Sequence, residues 1–443
     1  MSASNKLGLP ASLRGSLREY RVVEGSDLLK RIDGFYRWQE MRRTEGFWPY
    51  CRSTEAGPRS ECAIADDAGR RAEGVNFGSQ DYLSLSTHPA IKQAAHDAID
   101  RYGVHSAGSA AFMGNTDHSI ALEKKISEFL QMERTVLYPT GYAAGAGVIK
   151  GLVRSGDHVV MDALAHACLQ DGAASATKNV FLFRHLDIES ARRWLAQIRA
   201  KDTQNGILVV TEGLFSMDSD TPNIMAMQEL CHEYNATLMV DVAHDLGCLG
   251  EDGRGHIGMQ NMLGKVDIVM GSFSKTFASN GGFVACPSRS VQQYLRYFST
   301  PGTFSNALSP IQAAVALKAF EIVDSAEGCA LRQSLMTNIL ALRDGLCGAG
   351  LEVYGDPSAI VAVKMGTEAT ARLVSRELTD LGLIANMVEY PAVPKGAARF
   401  RLQVMAAHSA RQIEAAVACM KAGFEIAALE LEGILRPDLR AIA

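Results

Sequence analysis

The chain has 443 residues, enough for a large core divided among two or three lobes. Charged residues make up 21% and the net charge is −5, the balance of a soluble globular protein, which argues against a nucleic-acid or anionic-membrane surface. Nine cysteines lie scattered without CxxC pairs, which fits reduced thiols in a cytoplasmic compartment and neither a disulfide framework nor a zinc site, so no metal is expected.

The first twenty residues hold no apolar run, so no secretory signal is expected. Residues 1–60 are polar and mixed, and read as an N-terminal arm. Within it, Leu28, Ile32, Phe35, Trp38 and Met41 have helical spacing over Asp27–Arg43. That helix could pack on a second subunit or lie on the surface as a simple amphipathic helix. The segment NFGSQDYLSLSTHP (76–89) contains Gln80 and Ser84, and HSAGSAAFMGNTDH (105–118) is a small-residue loop ahead of a helix over Ser119–Leu130. Thr140-Gly141-Tyr142 opens a further helix, Ala143–Lys150. Backbone N–H groups at such a helix start form an anion site, and a glycine lets a phosphate come close.

Val159–Asp162 reads as a strand with His166 after it. Ile188–Ala200 reads as an amphipathic helix. Ile207–Thr211 is a strand ending at Glu212, followed by Ser216-Met217-Asp218, where a turn-capping serine is one reading. Thr237–Asp241 is an apolar strand ending in a carboxylate, with His244 three residues on. The stretch VDIVMGSFSKTFASNGGFV (266–284) is a buried-strand run that breaks into a Gly/Ser turn and delivers Lys275. A lone lysine is ordinarily a solvated surface cation. No other charge lies between Asp267 and Arg289, however, and a poorly solvated lysine has the lowered pKa that makes a nucleophilic amine. A P-loop is excluded because positions 269 and 274 hold Val269 and Ser274 where glycines are needed.

Alternating strands and helices from about 130 to 290 predict a mostly parallel sheet covered on both faces. Ligands of such sheets bind at the carboxyl ends of strands, where Asp241 and the Lys275 loop would both lie. An aspartate for a pyridinium nitrogen and a lysine for a Schiff base are the minimal kit for pyridoxal phosphate (PLP) chemistry. Tyr297–Leu317 is uncharged, but Pro301, Gly302, Asn306 and Pro310 break it, so no membrane span is expected. Beyond it, helices are expected over Ile311–Val323, Ala369–Leu381 and Ala410–Ala427, with strands over Ile360–Lys364 and Phe400–Val404, in a smaller α+β lobe.

DVAHDLGCLGEDGRG (241–255) and GSFSKTFASNGG (271–282) resemble the α-oxoamine synthase family of fold-type I PLP enzymes. Its members include serine palmitoyltransferase, glycine acetyltransferase (aminoketobutyrate ligase), aminolevulinate synthase and oxononanoate synthase. The likeness runs from about Asn76 to about His408. It implies an α/β fold with a large PLP-binding domain (61–300) and a smaller C-terminal domain (301–443). It further implies Lys275 as the lysine linked to PLP, Asp241 beside the pyridine nitrogen, His166 stacked on the ring, and His244 and Ser216 near the phenolic oxygen. Thr140, Gly141, Tyr142 and Ser272 would hold the phosphate side. Ser305, in the segment Phe304–Ala307, would reach the cofactor of the other subunit of a homodimer. Arg401, in ARFRLQVMAAH (398–408), would grip the amino-acid carboxylate, with Gln80 and Ser109 at the substrate. Here the sequence departs from relatives: Gln80 replaces an asparagine, Ser84 a glycine, and Ala110 an arginine.

The implied reaction is the decarboxylative condensation of an L-amino acid with an acyl-CoA, or an acyl carrier protein thioester, to an α-amino ketone. NFGS (76–79) and GNTD (114–117) lean towards the serine palmitoyltransferase side. Glycine acetyltransferase or oxononanoate synthase activity, or an aminotransferase on the same fold, are the alternatives. A catalytically silent partner subunit would have lost the lysine, and Lys275 is present.

Overall fold

The computed structural model describes residues 8–435; the outermost ends of the expected N-terminal arm and C-terminal lobe (1–7 and 436–443) lie outside them. The chain forms two compact units. One is the continuous stretch Gln80–Leu335. The other is built from both ends of the chain, up to Ser79 and from Met336 on.

The discontinuous unit begins with short 3₁₀ turns and a helix, Asp33–Thr44. This helix starts later than its apolar spacing predicts, because Asp27 turns back to accept the Leu29 and Lys30 N–H groups. It is not a simple surface helix, since Trp38 and Arg42 are buried within the chain's own unit. Three strands follow: β1 (Ser53–Thr54), β2 (Glu61–Ala65) and β3 (Arg71–Asn76), joined as an antiparallel meander.

The continuous unit carries the sheet expected from the alternation. Its strands are β4 (Arg134–Tyr138), β5 (His158–Asp162), β6 (Val180–Phe183), β7 (Ile207–Glu212), β8 (Thr237–Asp241), β9 (Ile268–Ser272) and β10 (Gly282–Cys286). Their order in space is β4-β10-β9-β8-β7-β5-β6. Strands β5 to β9 run parallel, and β10 runs against both of its neighbours. Both faces are buried. Val159, Met161, Leu208, Val210, Ile268 and Met270 point into one core with the helices Gly141–Leu152 and Ala167–Ala176. Val160, Val209, Val240 and Val269 fill the opposite face. A sheet covered on both sides reads as continuous apolar runs, which is why these strands were legible. The helices between them start on side-chain caps: Thr140 for Gly141–Leu152, His166 for Ala167–Ala176 and Asp187 for Ile188–Arg199.

The chain returns to the first unit within the helix Ala326–Gly348 and adds β11 (Ile360–Gly366), β12 (Leu383–Ile384), β13 (Asn386–Val388) and β14 (Ala398–Gln403). β12 extends the N-terminal meander in parallel with β3. β11, β14 and β13 form a separate antiparallel sheet. No helix among the described residues is long and apolar enough to cross a membrane.

Candidate active site

The carboxyl ends of β4, β5, β7, β8 and β9 each release a loop carrying one of the residues singled out above. Most of these meet at a cavity of about 300 Å³, lined among others by Thr140, Gly141, Tyr142, His166, Asp241, His244, Ser272 and Lys275. Asp241 ends β8, buried, with its Oδ1 accepting the Ala243 N–H at 2.9 Å. Lys275 lies three residues past β9 and is half-buried. His244 is buried and its Nδ1 is hydrogen-bonded to the Tyr82 hydroxyl at 3.0 Å. His166 caps its helix: its Nδ1 accepts the Cys168 N–H at 3.2 Å and sits 3.1 Å from the Cys168 thiol.

An anion cradle closes one end of the cavity. Thr140 caps the twelve-residue helix Gly141–Leu152 by accepting the Ala143 N–H at 3.0 Å. A Cβ on Gly141 would stand 2.4 Å from Ser272 Oγ, so only glycine allows helix start and strand end to meet this closely. Ser272 Oγ and Ser274 Oγ lie 2.8 Å apart beside it. The Tyr142 hydroxyl donates to Asp171.

The electrostatics at the strand ends are set by burial. Burial pushes the Asp241 carboxyl above its ordinary range, and the Lys275 charge pulls against that rise. Glu212, paired in register with Asp241, is raised further by burial and by the Asp241 charge. Its Oε1 accepts the His166 N–H at 2.7 Å. Two buried carboxyls side by side call for a cation between the protein and whatever fills the cavity. A protonated pyridine supplies that cation, the helix start and serine hydroxyls suit a phosphate, and Lys275 is the amine for an aldehyde. The donor set therefore fits PLP.

The remaining expected residues fall elsewhere. Gln80, Ser109, Ser216 and Ser305 are not among the residues lining the cavity. Ser216 is half-buried in the loop closed by the Phe215–Asp220 bridge. Ser109 bridges to Asn306, and the Ala307 N–H donates to the Gly108 carbonyl at 2.9 Å, so the small-residue loop and the Phe304–Ala307 segment are neighbours. Arg401 lies on β14 in the other unit, nine-tenths buried, opposite Ala362 and Asn386. Sequence reasoning gave no role to Glu212, Tyr82 or Cys168. For Glu212 the signal was present: an acid ending the apolar strand ILVVT is the same pattern that marked Asp241 after TLMV.

The sequence model of the aminotransferase class I and II family matches residues 72–419. The chain is 35% identical over 381 residues to the 8-amino-7-oxononanoate synthase of Geotalea daltonii, covering 86% of this chain and 95% of that protein. It is 32% identical over 378 residues to the 2-amino-3-ketobutyrate coenzyme A ligase of Salmonella typhimurium, covering 85% and 93%. Its fold superposes with a TM-score of 0.85 on a serine palmitoyltransferase from S. paucimobilis solved with a bound PLP–myriocin aldimine, at 27% identity over 91% of this chain and 100% of that one. Cavity, sheet and kinship agree: the chain belongs to the aminotransferase class I and II family, as a PLP-dependent α-oxoamine synthase of fold type I.

Proposed function

We propose that this enzyme condenses an L-amino acid with an acyl-CoA, releasing carbon dioxide and free thiol and leaving an α-amino ketone. The observation that carries the reading is that Lys275 and the buried Asp241 line one cavity and act on each other electrostatically. Bound PLP supplies an electron sink for negative charge at the amino acid's Cα. Lys275 Nζ would hold the cofactor, and its free amine would take the Cα proton. Asp241 keeps the proton on the cofactor's ring nitrogen. His166 would stack on the ring, and His244, steadied by Tyr82, would donate to the phenolic oxygen together with Ser216. Thr140, Gly141, Tyr142 and Ser272 take the phosphate, joined by Ser305 of a second copy in a homodimer. Arg401 fixes the substrate carboxylate through a guanidinium fork, with Gln80 and Ser109 beside the substrate.

The acyl group is read as uncharged. By the family resemblance Ala110 replaces a usual arginine, which would remove a cation and free space, so an uncharged acyl-CoA is favoured over succinyl-CoA. The nine free cysteines support a reducing, cytoplasmic setting. The test is a matrix of amino acids against acyl-CoAs of increasing length, read by free thiol. Thiol release that depends on both partners and is poor with succinyl-CoA is expected. A keto acid formed without thiol would replace this reading with a transamination.

A further inference from the structure

His185 follows β6 and touches the loops that leave two other strands. Its Nδ1 lies 2.9 Å from Asp162 Oδ1, and its Nε2 lies 3.2 and 3.1 Å from the two Asp220 oxygens. An ionised carboxylate only accepts, so both ring nitrogens must donate, and only the imidazolium does that. The Phe215 ring stands edge-on to the imidazole with centroids 4.6 Å apart. Asp218 faces the same place, its oxygen within 4.8 Å of the His185 and Asp220 ligand atoms. A metal ion there would need a bare ring nitrogen, and both are engaged by carboxylates.

Each aspartate braces a loop: Asp162 the one that carries His166 to the cavity, Asp220 the one that contains Ser216. Asp162 is fully buried at the end of β5. It also accepts the Leu164 N–H at 2.9 Å and the Leu186 N–H at 3.0 Å, and so fixes the first turn of the loop leading to His166. The Asp220 carbonyl accepts the Phe215 N–H at 2.9 Å, closing the loop that contains Ser216. One ring thus ties the start of the His166 loop to the end of the Ser216 loop.

We propose that His185 is a positioning residue for the acyl transfer: a charged clamp between Asp162 and Asp220 that holds His166 and Ser216 in place for the cofactor. The proposal rests on the roles given to His166 and Ser216 above. Burial alone would lower the imidazole pKa, but the bonds from Asp162 and Asp220 outweigh it and carry it up to about 10. Among the described residues, Asp162, Asp218 and Asp220 are the ionisable groups found facing the ring. For a raised imidazole the sign is fixed: the clamp's stabilisation is whole below the unfolded value of about 6.5 and is lost as pH rises through about 10.

The test uses full-length protein, His185→Gln, and Asp220→Asn as a second variant. In the loaded enzyme, kcat for thiol release should fall roughly tenfold to a hundredfold in both, the cost of an ångström-scale misplacement, with KM for the acyl donor little changed. Without cofactor, wild type should lose more stability than His185→Gln between about pH 7 and about pH 10. Nitrogen-15 spectra of the wild type should show both His185 nitrogens protonated at about pH 8, a readout that needs no variant to fold. A bare ring nitrogen at that pH, zinc binding abolished by His185→Gln, or kcat and pH dependence unchanged in both variants would overturn the clamp. Absence of thiol release from wild type with every substrate pair would instead sink the functional reading, while the spectra and cofactor-free stability still judge the clamp.

Discussion

Buried charge is handled in opposite ways at two places in this chain. In the discontinuous unit, Glu389 is almost wholly buried between two fully buried arginines: Arg42 Nη1 donates to it at 3.1 Å and Arg372 Nε at 2.8 Å. The Tyr50 hydroxyl adds a bond at 3.2 Å, and the Arg42 guanidinium lies 4.7 and 5.2 Å from the centroids of the Trp38 and Trp48 rings. That carboxylate is answered within the chain. At the strand ends of the continuous unit, Glu212 and Asp241 are buried beside each other, and Lys275 acts on both as the nearby cation. The first arrangement spends its charge on holding a fold together. The second keeps a carboxylate poised for a cationic ring, at a cost in stability when the ring is away.

The largest effect should come from removing the lysine. Lys275→Ala should cut turnover by at least about a thousandfold, and borohydride reduction of the wild type should leave the cofactor on a peptide containing Lys275. Label on any other lysine would break the assignment. Asp241→Asn comes next, with a rate loss of several orders of magnitude, since the ring nitrogen loses its charge partner. His244→Ala removes only a hydrogen bond and should cost about tenfold to a thousandfold. The comparison sharpens on stability. A carboxyl raised by burial loses stabilisation as pH rises through its folded pKa, so cofactor-free Asp241→Asn should be at least as stable as wild type at neutral pH. Glu389→Ala should do the reverse, with about 3–5 kcal/mol lost from the melting transition and the cofactor's absorption unchanged in the folded fraction. Equal melting losses in the two variants would erase the distinction. The smallest effect concerns backbone strain at one residue outside the cavity lining. Ser84 sits at φ 58°, a left-handed conformation that glycine adopts without a Cβ penalty. Ser84→Gly should be neutral or raise stability by up to about 1 kcal/mol in denaturant titration.

The sequence was readable where chemistry and burial coincide. TLMVD is an apolar run ending in Asp241, and VDIVMGS is one followed three residues later by Lys275; both ended at the cavity. Glu212 carries the same signature, yet no local feature distinguishes an acid that meets the cofactor from one that holds a backbone N–H. The meander β1–β3 was missed for a different reason. Glu61–Ala65 and Arg71–Asn76 are half-exposed and mix polar with small residues, so no period of two stands out. What fixes β3 is a distant neighbour: a Cβ on Gly74 would stand 2.2 Å from the Gly382 carbonyl oxygen, a contact 308 residues away in the chain. Arg42 reads as a surface cation on an amphipathic helix, and only Glu389, far downstream, turns it inward. His185 follows the same rule, because its partners come from the end of β5 and from the loop after β7.

The split composition of the discontinuous unit has a consequence for synthesis. Trp38, Phe47 and Trp48 end up nearly inaccessible, but the unit that shelters them also needs the chain from Met336 onward. A ribosome adding ~5–20 residues per second takes roughly ten seconds to a minute to make the ~260 residues in between. During that interval the continuous unit can collapse on its own, while the emerged N-terminal aromatics wait without their partners. Newborn chains therefore pass through a long window of stickiness in which a chaperone, or a slow encounter with another nascent chain, decides the yield.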